Sequence, residues 1–193
     1  AVENGGMAMN VHNNLIKMGT DSHIITNQNY RSIRKTRFID HRTNHMFMRL
    51  DEKDDDYGQF SFDGIDFDEY EAVIVSDYDK GFLTEEDIEM IGKSHKAVFL
   101  DTKKTLGKWC EAVKFIKFNI TEYERSKPHI NDRISKKLIV TLGPKGAIHN
   151  EVTYPVPKVE IKDTSGAGDT FIAALASEYT KTQNIEDAIT YAN

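Results

Sequence analysis

From Glu71 onward the sequence alternates short apolar runs with segments that can open helices. Ala72-Val-Ile-Val-Ser76 is continuously apolar, as a strand buried on both faces of a parallel sheet must be. Thr84-Glu-Glu-Asp-Ile-Glu-Met-Ile-Gly92 carries capping residues and an acidic first turn, so a helix is predicted to begin there. Ala97-Val-Phe-Leu100 and Phe115-Ile-Lys-Phe118 supply the next strands, and Leu138-Ile-Val-Thr141 follows after the polar stretch 126–137. Strands alternating with helices argue an α/β fold, a mostly parallel sheet flanked by helices. Asp77, Asp101, Asn119 and Gly143 fall just beyond the C-terminal ends of these runs. Open α/β sheets bind their ligands at that edge.

At 193 residues, with 39% hydrophobic and 29% charged side chains, the chain suits one globular domain with a buried core. Its net charge of −6 argues against a general nucleic-acid surface. No apolar run approaches the length of a membrane span and no signal peptide is visible, so no membrane partner is expected. The single cysteine, Cys110, excludes an internal disulfide and reads as a packed thiol in a reducing, cytoplasmic setting. The acidic connector Glu52-Lys-Asp-Asp-Asp-Tyr57 lacks the alternating ligands and closing Glu of a calcium loop and reads as solvated.

The first half is more varied. Gly5-Gly-Met-Ala-Met-Asn10 leads into a helix through Val11, Leu15 and Met18, stopped at Gly19. His23-Ile-Ile-Thr26 reads as a short strand. Arg34-Lys-Thr-Arg-Phe-Ile-Asp40 and Met46-Phe-Met-Arg-Leu-Asp51 read as paired strands joined by the polar turn His41-Arg-Thr-Asn-His45. Arg31, Arg34, Lys35, Arg37 and Arg49 could grip a phosphate, or simply make a solvated basic face.

Near the other end, Val156-Pro-Lys-Val-Glu-Ile161 reads as a strand or extended approach, and Phe171, Ala174, Leu175 and Tyr179 recur at helical spacing. Between them lies Asp163-Thr-Ser-Gly-Ala-Gly-Asp169. A glycine turn opening into a helix presents unpaired N–H groups and partial positive charge, which attract phosphate oxygens. Asp169 beside it would be an odd choice for merely holding an anion; it fits a base that takes a proton from an attacking hydroxyl. A bare Gly-x-Gly-Asp would more simply be a turn with Asp as helix N-cap. There is no Walker A motif, and Gly166-Ala-Gly168 lacks the third glycine of a dinucleotide-binding turn.

The full string Asp163-Thr-Ser-Gly-Ala-Gly-Asp-Thr-Phe171 resembles the C-terminal signature of the ribokinase-like (PfkB) carbohydrate kinases. Lys35-Thr-Arg-Phe38, Arg49-Leu-Asp51 and Ser76-Asp-Tyr-Asp-Lys-Gly81 resemble its heptose-7-phosphate kinase branch, with Asp79 in place of a glycine. The resemblance implies a ribokinase-like fold over residues 1–193, incomplete at both ends, with 30–62 as a β-lid over the sugar and a homodimer contact. It implies ATP-dependent, magnesium-assisted phosphorylation of a sugar or sugar phosphate, heptose 7-phosphate among them. The alternatives are a kinase for another sugar or nucleoside, and a non-catalytic binding or dimerisation module of the same fold. By the same resemblance Gly166, Ala167 and Gly168 form the anion hole and Asp169 is the base. Gly5, Gly6, Asn10, Arg49 and Lys80 face the substrate, and Lys103 of Asp101-Thr-Lys103 approaches phosphates. Asn119 and Glu122 lie near the phosphates, Glu122 holding magnesium through water, and Thr141, Gly143 and Gly146 shape the nucleotide loop. Taken alone, Gly143-Pro-Lys-Gly146 is a simple β-turn and Gly5-Gly6 a flexible loop.

Overall fold

Parallel pairing of the apolar runs builds the centre of the molecule. The structure, a computed structural model, describes residues 6–43, 45–53, 57–157 and 166–193. In chain order these form α1 (Gly6–Lys17), β1 (Arg34–Ile39), β2 (Met46–Glu52), β3 (Val73–Asp77), α2 (Glu85–Ser94), β4 (Val98–Thr102) and β5 (Phe115–Asn119). There follow α3 (Ile120–Ser126), α4 (Asp132–Ser135), β6 (Leu138–Thr141), β7 (Ala147–His149), β8 (Val152–Tyr154), α5 (Ala167–Thr182) and α6 (Ile185–Ala192). The central sheet has the order β3-β4-β5-β6-β7-β8. β3 to β6 run parallel, with Val75 beside Leu100, Leu100 beside Ile116 and Ile116 beside Leu138.

Successive strand residues point to opposite faces, which splits the core in two. Phe99 and Phe115 pack with α1, α5 and α6 on one side, while Val98, Leu100, Ile116 and Phe118 pack with α2 on the other. Phe99, Phe115 and Tyr179 meet edge-on or tilted with centroids 5.3 to 5.5 Å apart. α5 is buried on nearly every face from Phe171 to Ser177, because it sits against the sheet with α1 and α6 beside it. Cys110 is fully buried; burial pushes its thiol up to about 11 and the Sγ donates to the Gly107 carbonyl, as a packed thiol would.

Helix starts follow the sequence closely. Thr84 and Asp87 form a reciprocal capping box on α2, and Asn119 and Glu122 form another on α3. β7 and β8 extend the sheet antiparallel through a two-residue turn, Asn150 and Glu151, both at positive φ. The sequence did not announce that turn, since it lacks the glycine such hairpins favour.

β1 and β2 pair antiparallel as a separate sheet, closed by a turn in which Asp40 accepts bonds from the Arg42 N–H and the Thr43 hydroxyl. Two expectations need correction or restriction. His23-Ile-Ile-Thr26 is not a strand: it runs beside the β3 edge with no ladder, tied instead by Ser22 to His12 (2.8 Å) and His23 to Tyr70 (3.2 Å). Two adjacent β-branched isoleucines suit an extended backbone, but pairing needs a second backbone aligned with it, which residue type does not supply. In Val156-Pro-Lys-Val-Glu-Ile161, Val156 and Pro157 lie in no strand and the remainder falls outside the described residues.

Candidate active site

The β4 and β5 ends and the start of α5 converge on one polar spot. Gly166 is the N-cap of α5 and sits in the left-handed region (φ +79°), a conformation glycine adopts without steric cost. Asp169 is therefore the third residue inside the helix rather than its cap. Its carboxylate is buried, 7% exposed, and accepts a 2.7 Å bond from Asn10 Nδ2 on α1. Asn14 on the next turn donates to Thr170 Oγ1 at 3.0 Å, so α1 holds the start of α5 at two points. Asn10 and Asp169, far apart in sequence, are thus brought together; Gly6 begins α1.

Beneath this turn lies a residue that sequence reasoning passed over. Lys117 is the one charge in the Phe115–Phe118 run and is only 4% exposed. It points to the α5 face of the sheet, and a Cβ on Gly168 would come within 2.5 Å of its Nζ. Gly168 is small because the ammonium occupies that space. Lys117 is paired at 2.8 Å with Asp101 Oδ2, itself 1% exposed. Burial pushes Asp101 above the usual carboxylate range, with Lys117 pulling the other way. Asp101 Oδ1 has no hydrogen-bond partner, although Lys103 Nζ lies 4.0 Å from it. Lys103 in turn contacts Glu122; burial works against its ammonium, but that bond and Asp101 outweigh it and raise its pKa. A lysine inside an otherwise apolar run was the available signal, because a buried cation demands a partner.

Asn119 and Glu122 are engaged with each other: Asn119 N donates to Glu122 Oε2 and Glu122 N to Asn119 Oδ1, both at 2.9 Å. Among the described residues no group of three or more His, Cys, Asp or Glu could cage a metal ion. The orphaned Asp101 oxygen and the nearby Glu122 carboxylate fit magnesium carried by nucleotide phosphates and reached through water.

Thr141 ends β6 and its hydroxyl donates to the Phe118 carbonyl. Gly143 is open to its surroundings, whereas Gly146 is packed: a Cβ there would lie 1.9 Å from the Tyr154 carbonyl oxygen. The glycine at 146 answers to the β8 backbone, a requirement independent of any nucleotide. Arg49 on β2 pairs with Asp51 at 2.8 Å and lies directly across the ladder from Arg37. Lys80 is exposed in the loop after β3. Gly5 and Asp163 to Ser165 lie outside the described residues.

Parallel strands flanked by helices, with a glycine turn and a buried aspartate at the strands' C-terminal edge, define a ribokinase-like kinase fold. Known proteins agree. Residues 66–193 match the pfkB family of carbohydrate kinases, and the chain belongs to that family. It is 35% identical over 143 residues to the bifunctional protein HldE of a Nitratiruptor species, covering 65% of this chain and 31% of the relative. HldE of Helicobacter pylori is 32% identical over 149 residues, covering 65% and 32%. The chain thus spans about a third of the length of these curated relatives. Among solved structures, a nucleoside kinase of Methanocaldococcus jannaschii superposes with a TM-score of 0.69 at 17% identity, covering 96% of this chain and 76% of that one. A sugar kinase of Pyrococcus horikoshii, in complex with ATP, gives 0.68 at 20% identity, covering 97% and 80%. A ribokinase of Thermotoga maritima gives 0.64 at 16%, covering 98% and 78%. Among the described residues no helix is long and apolar enough to cross a membrane.

Proposed function

We propose that this chain transfers the γ-phosphoryl group of ATP to a hydroxyl of a sugar phosphate, with heptose 7-phosphate as the favoured acceptor. The observation that carries the reading is the buried Asp169 carboxylate, fixed by Asn10 and seated in the first turn of α5. Asn10 holds one carboxylate oxygen, and the other takes the proton of the attacking hydroxyl. The N–H groups of Gly166 to Gly168 and the positive end of α5 stabilise charge on the group in flight, and Lys117 adds a cation directly behind Gly168. ATP supplies the phosphoryl group, and magnesium bound with it neutralises phosphate charge. Asn119 and Glu122 would hold that ion through water, while Thr141 and Gly143 would border the nucleotide. Gly5, Gly6 and Lys80 belong to the acceptor side.

Two features favour a phosphorylated acceptor over a nucleoside. Arg37 and Arg49 stand directly opposite one another on the hairpin, and the single Asp51 that pairs with Arg49 at 2.8 Å offsets only one of the two charges, leaving a face suited to an anionic acceptor. The chain's resemblance to HldE relatives points the same way. The hairpin then serves as a lid, and its exposed Phe38, Met46, Met48 and Leu50, on the face away from Arg37 and Arg49, supply a homodimer contact.

The test is Asp169→Asn in the full-length protein, assayed with ATP, magnesium and a panel holding heptose 7-phosphate, fructose 6-phosphate and ribose. Loss of general-base help lowers kcat by about 10²- to 10⁴-fold with ATP affinity nearly unchanged. Turnover within a factor of a few of wild type would remove Asp169 from that role.

A further inference from the structure

The loop after β3 is held with unusual firmness. Asp77, 4% exposed, receives the Thr102 hydroxyl at 2.6 Å on Oδ2 and the Asp79 N–H at 3.0 Å on Oδ1. Lys103 N donates to the Asp77 carbonyl at 3.0 Å. Lys104, 8% exposed, reaches both acids of the loop, bonding Asp79 at 2.6 Å and lying 3.5 Å from Asp77 Oδ2. Burial opposes the Lys104 ammonium, yet the Asp79 bond and the Asp77 charge prevail and raise its pKa. Asp79 itself takes a left-handed backbone (φ +56°), which aspartate tolerates better than most residues. The Lys104–Asp77 contact is buried and the Lys104–Asp79 bond is half-exposed on the Asp79 side; on a loop this short the two together fix the one residue between the acids.

That residue is Tyr78. Its side chain is 46% exposed and joins neither core cluster, so packing does not explain it. Lys35 of β1 stands over its ring at 5.5 Å from the centroid. Burial and then the charge of Asp169 push its hydroxyl above its ordinary pKa, while Lys103 and Arg37 act in the other direction. One side chain is thus in contact with the hairpin and in the electrostatic field of the candidate base, the phosphate-side lysine and a hairpin arginine together.

We propose that Tyr78, set by the Asp77–Asp79–Lys104 clamp, is the acceptor-contacting residue on which the β1–β2 hairpin docks. Its ring carries Lys35 on the hairpin side, and its free edge and hydroxyl meet the sugar phosphate between Arg37 and Asp169. Such a residue selects acceptors without touching ATP, because an amphipathic ring offers an apolar face to the sugar and a polar tip to its hydroxyls. Lys104 acts through the loop and is a positioning residue. This inference rests on the kinase reading above.

The experiment uses the full-length protein, with heptose 7-phosphate as the probe acceptor. Its affinity is measured by calorimetry in the presence of a non-hydrolysable ATP analogue, and turnover is followed in parallel with ATP. Tyr78→Leu weakens acceptor binding by roughly 2- to 30-fold, the span expected for a lost cation–π contact, while the affinity of the ATP analogue stays within about twofold. Lys35→Met costs a similar factor in the wild type and in Tyr78→Phe, but nothing further once Tyr78 is Leu. Lys104→Met raises the acceptor KM with little change in kcat, and Lys104→Arg restores it. An active wild type whose acceptor affinity ignores Tyr78→Leu would overturn this proposal alone, as would strict additivity of the Tyr78 and Lys35 substitutions. A wild type that phosphorylates no acceptor in the panel would overturn the kinase reading, and this proposal with it.

Discussion

Replacing Lys117 with methionine isolates the buried charge behind the glycine turn that opens α5. Methionine keeps the length and apolar stem of lysine, so the packing of Phe115–Phe118 is largely retained and the main loss is the ammonium. Asp101, 1% exposed, then keeps only Lys103, whose Nζ lies 4.0 Å from its other oxygen and is already engaged by Glu122. Breaking one side of a buried pair costs about 3–5 kcal/mol, and the distant Lys103 trims this toward the low end. For a chain of 193 residues, ~3 kcal/mol corresponds to a drop in Tm of roughly 6–12 °C. The loss depends on pH, with a definite sign. Burial already holds the folded Asp101 above its ordinary value of 3.8, and removing Lys117 takes away the largest opposing charge. Below that value the carboxyl is protonated in both folded and unfolded chains, and the missing ammonium matters little. Above it the unfolded chain releases the proton while the folded variant keeps it. The folded state then binds more protons, and stability falls with rising pH by up to about 1.4 kcal/mol per unit, until the folded carboxyl ionises. Urea unfolding followed by circular dichroism at ~pH 4 and ~pH 7 measures the gap between wild type and variant. It should widen toward neutral pH. A gap that is flat, or below about 1 kcal/mol at neutral pH, would refute the claim that Lys117 neutralises Asp101.

Gly146→Ala should cost about 1–3 kcal/mol for driving a methyl into the Tyr154 carbonyl on top of about 1–2 kcal/mol for its own positive φ, with more harm to folding than to nucleotide affinity. Gly143→Ala meets no neighbour and should cost only the strain of its positive φ, about 1–2 kcal/mol in thermal unfolding; equal losses at the two sites would contradict the packing argument. If the hairpin mediates a homodimer, Met48→Lys, at a side chain 52% exposed in the single chain and on the face away from Arg49, should convert dimer to monomer in light scattering after size exclusion; a wild type that is already monomeric removes the dimer.

Much of this protein is written locally. The strands β3 to β6 are legible because an apolar run with few charges can satisfy itself only inside a sheet covered on both faces, and β4 is buried along its whole length. The helix start at Thr84 is legible because capping is a matter of side chains reaching three residues along the chain. The glycine turn and the place of Asp169 in the first turn of α5 are legible for the same reason: glycine freedom and a helix start are properties of consecutive residues. The capping box that Asn119 and Glu122 make on α3 goes unread, because the pair reads instead as residues placed near phosphates. What the tertiary structure decided are the meetings across the sheet. Asn10 contacts Asp169 only because α1 packs beside α5, and Lys117 lies behind Gly168 only because β5 passes beneath the helix start. Tyr78 becomes a candidate contact residue only when Lys104, from the end of the neighbouring strand, clamps its loop. Gly146 looked like a turn glycine suited to a nucleotide, and the fold shows that a later strand's carbonyl claims its space. His23–Thr26 shows the converse: a pleat is local, but a strand is a hydrogen-bonded partnership, and only the packed chain determines which backbones lie side by side.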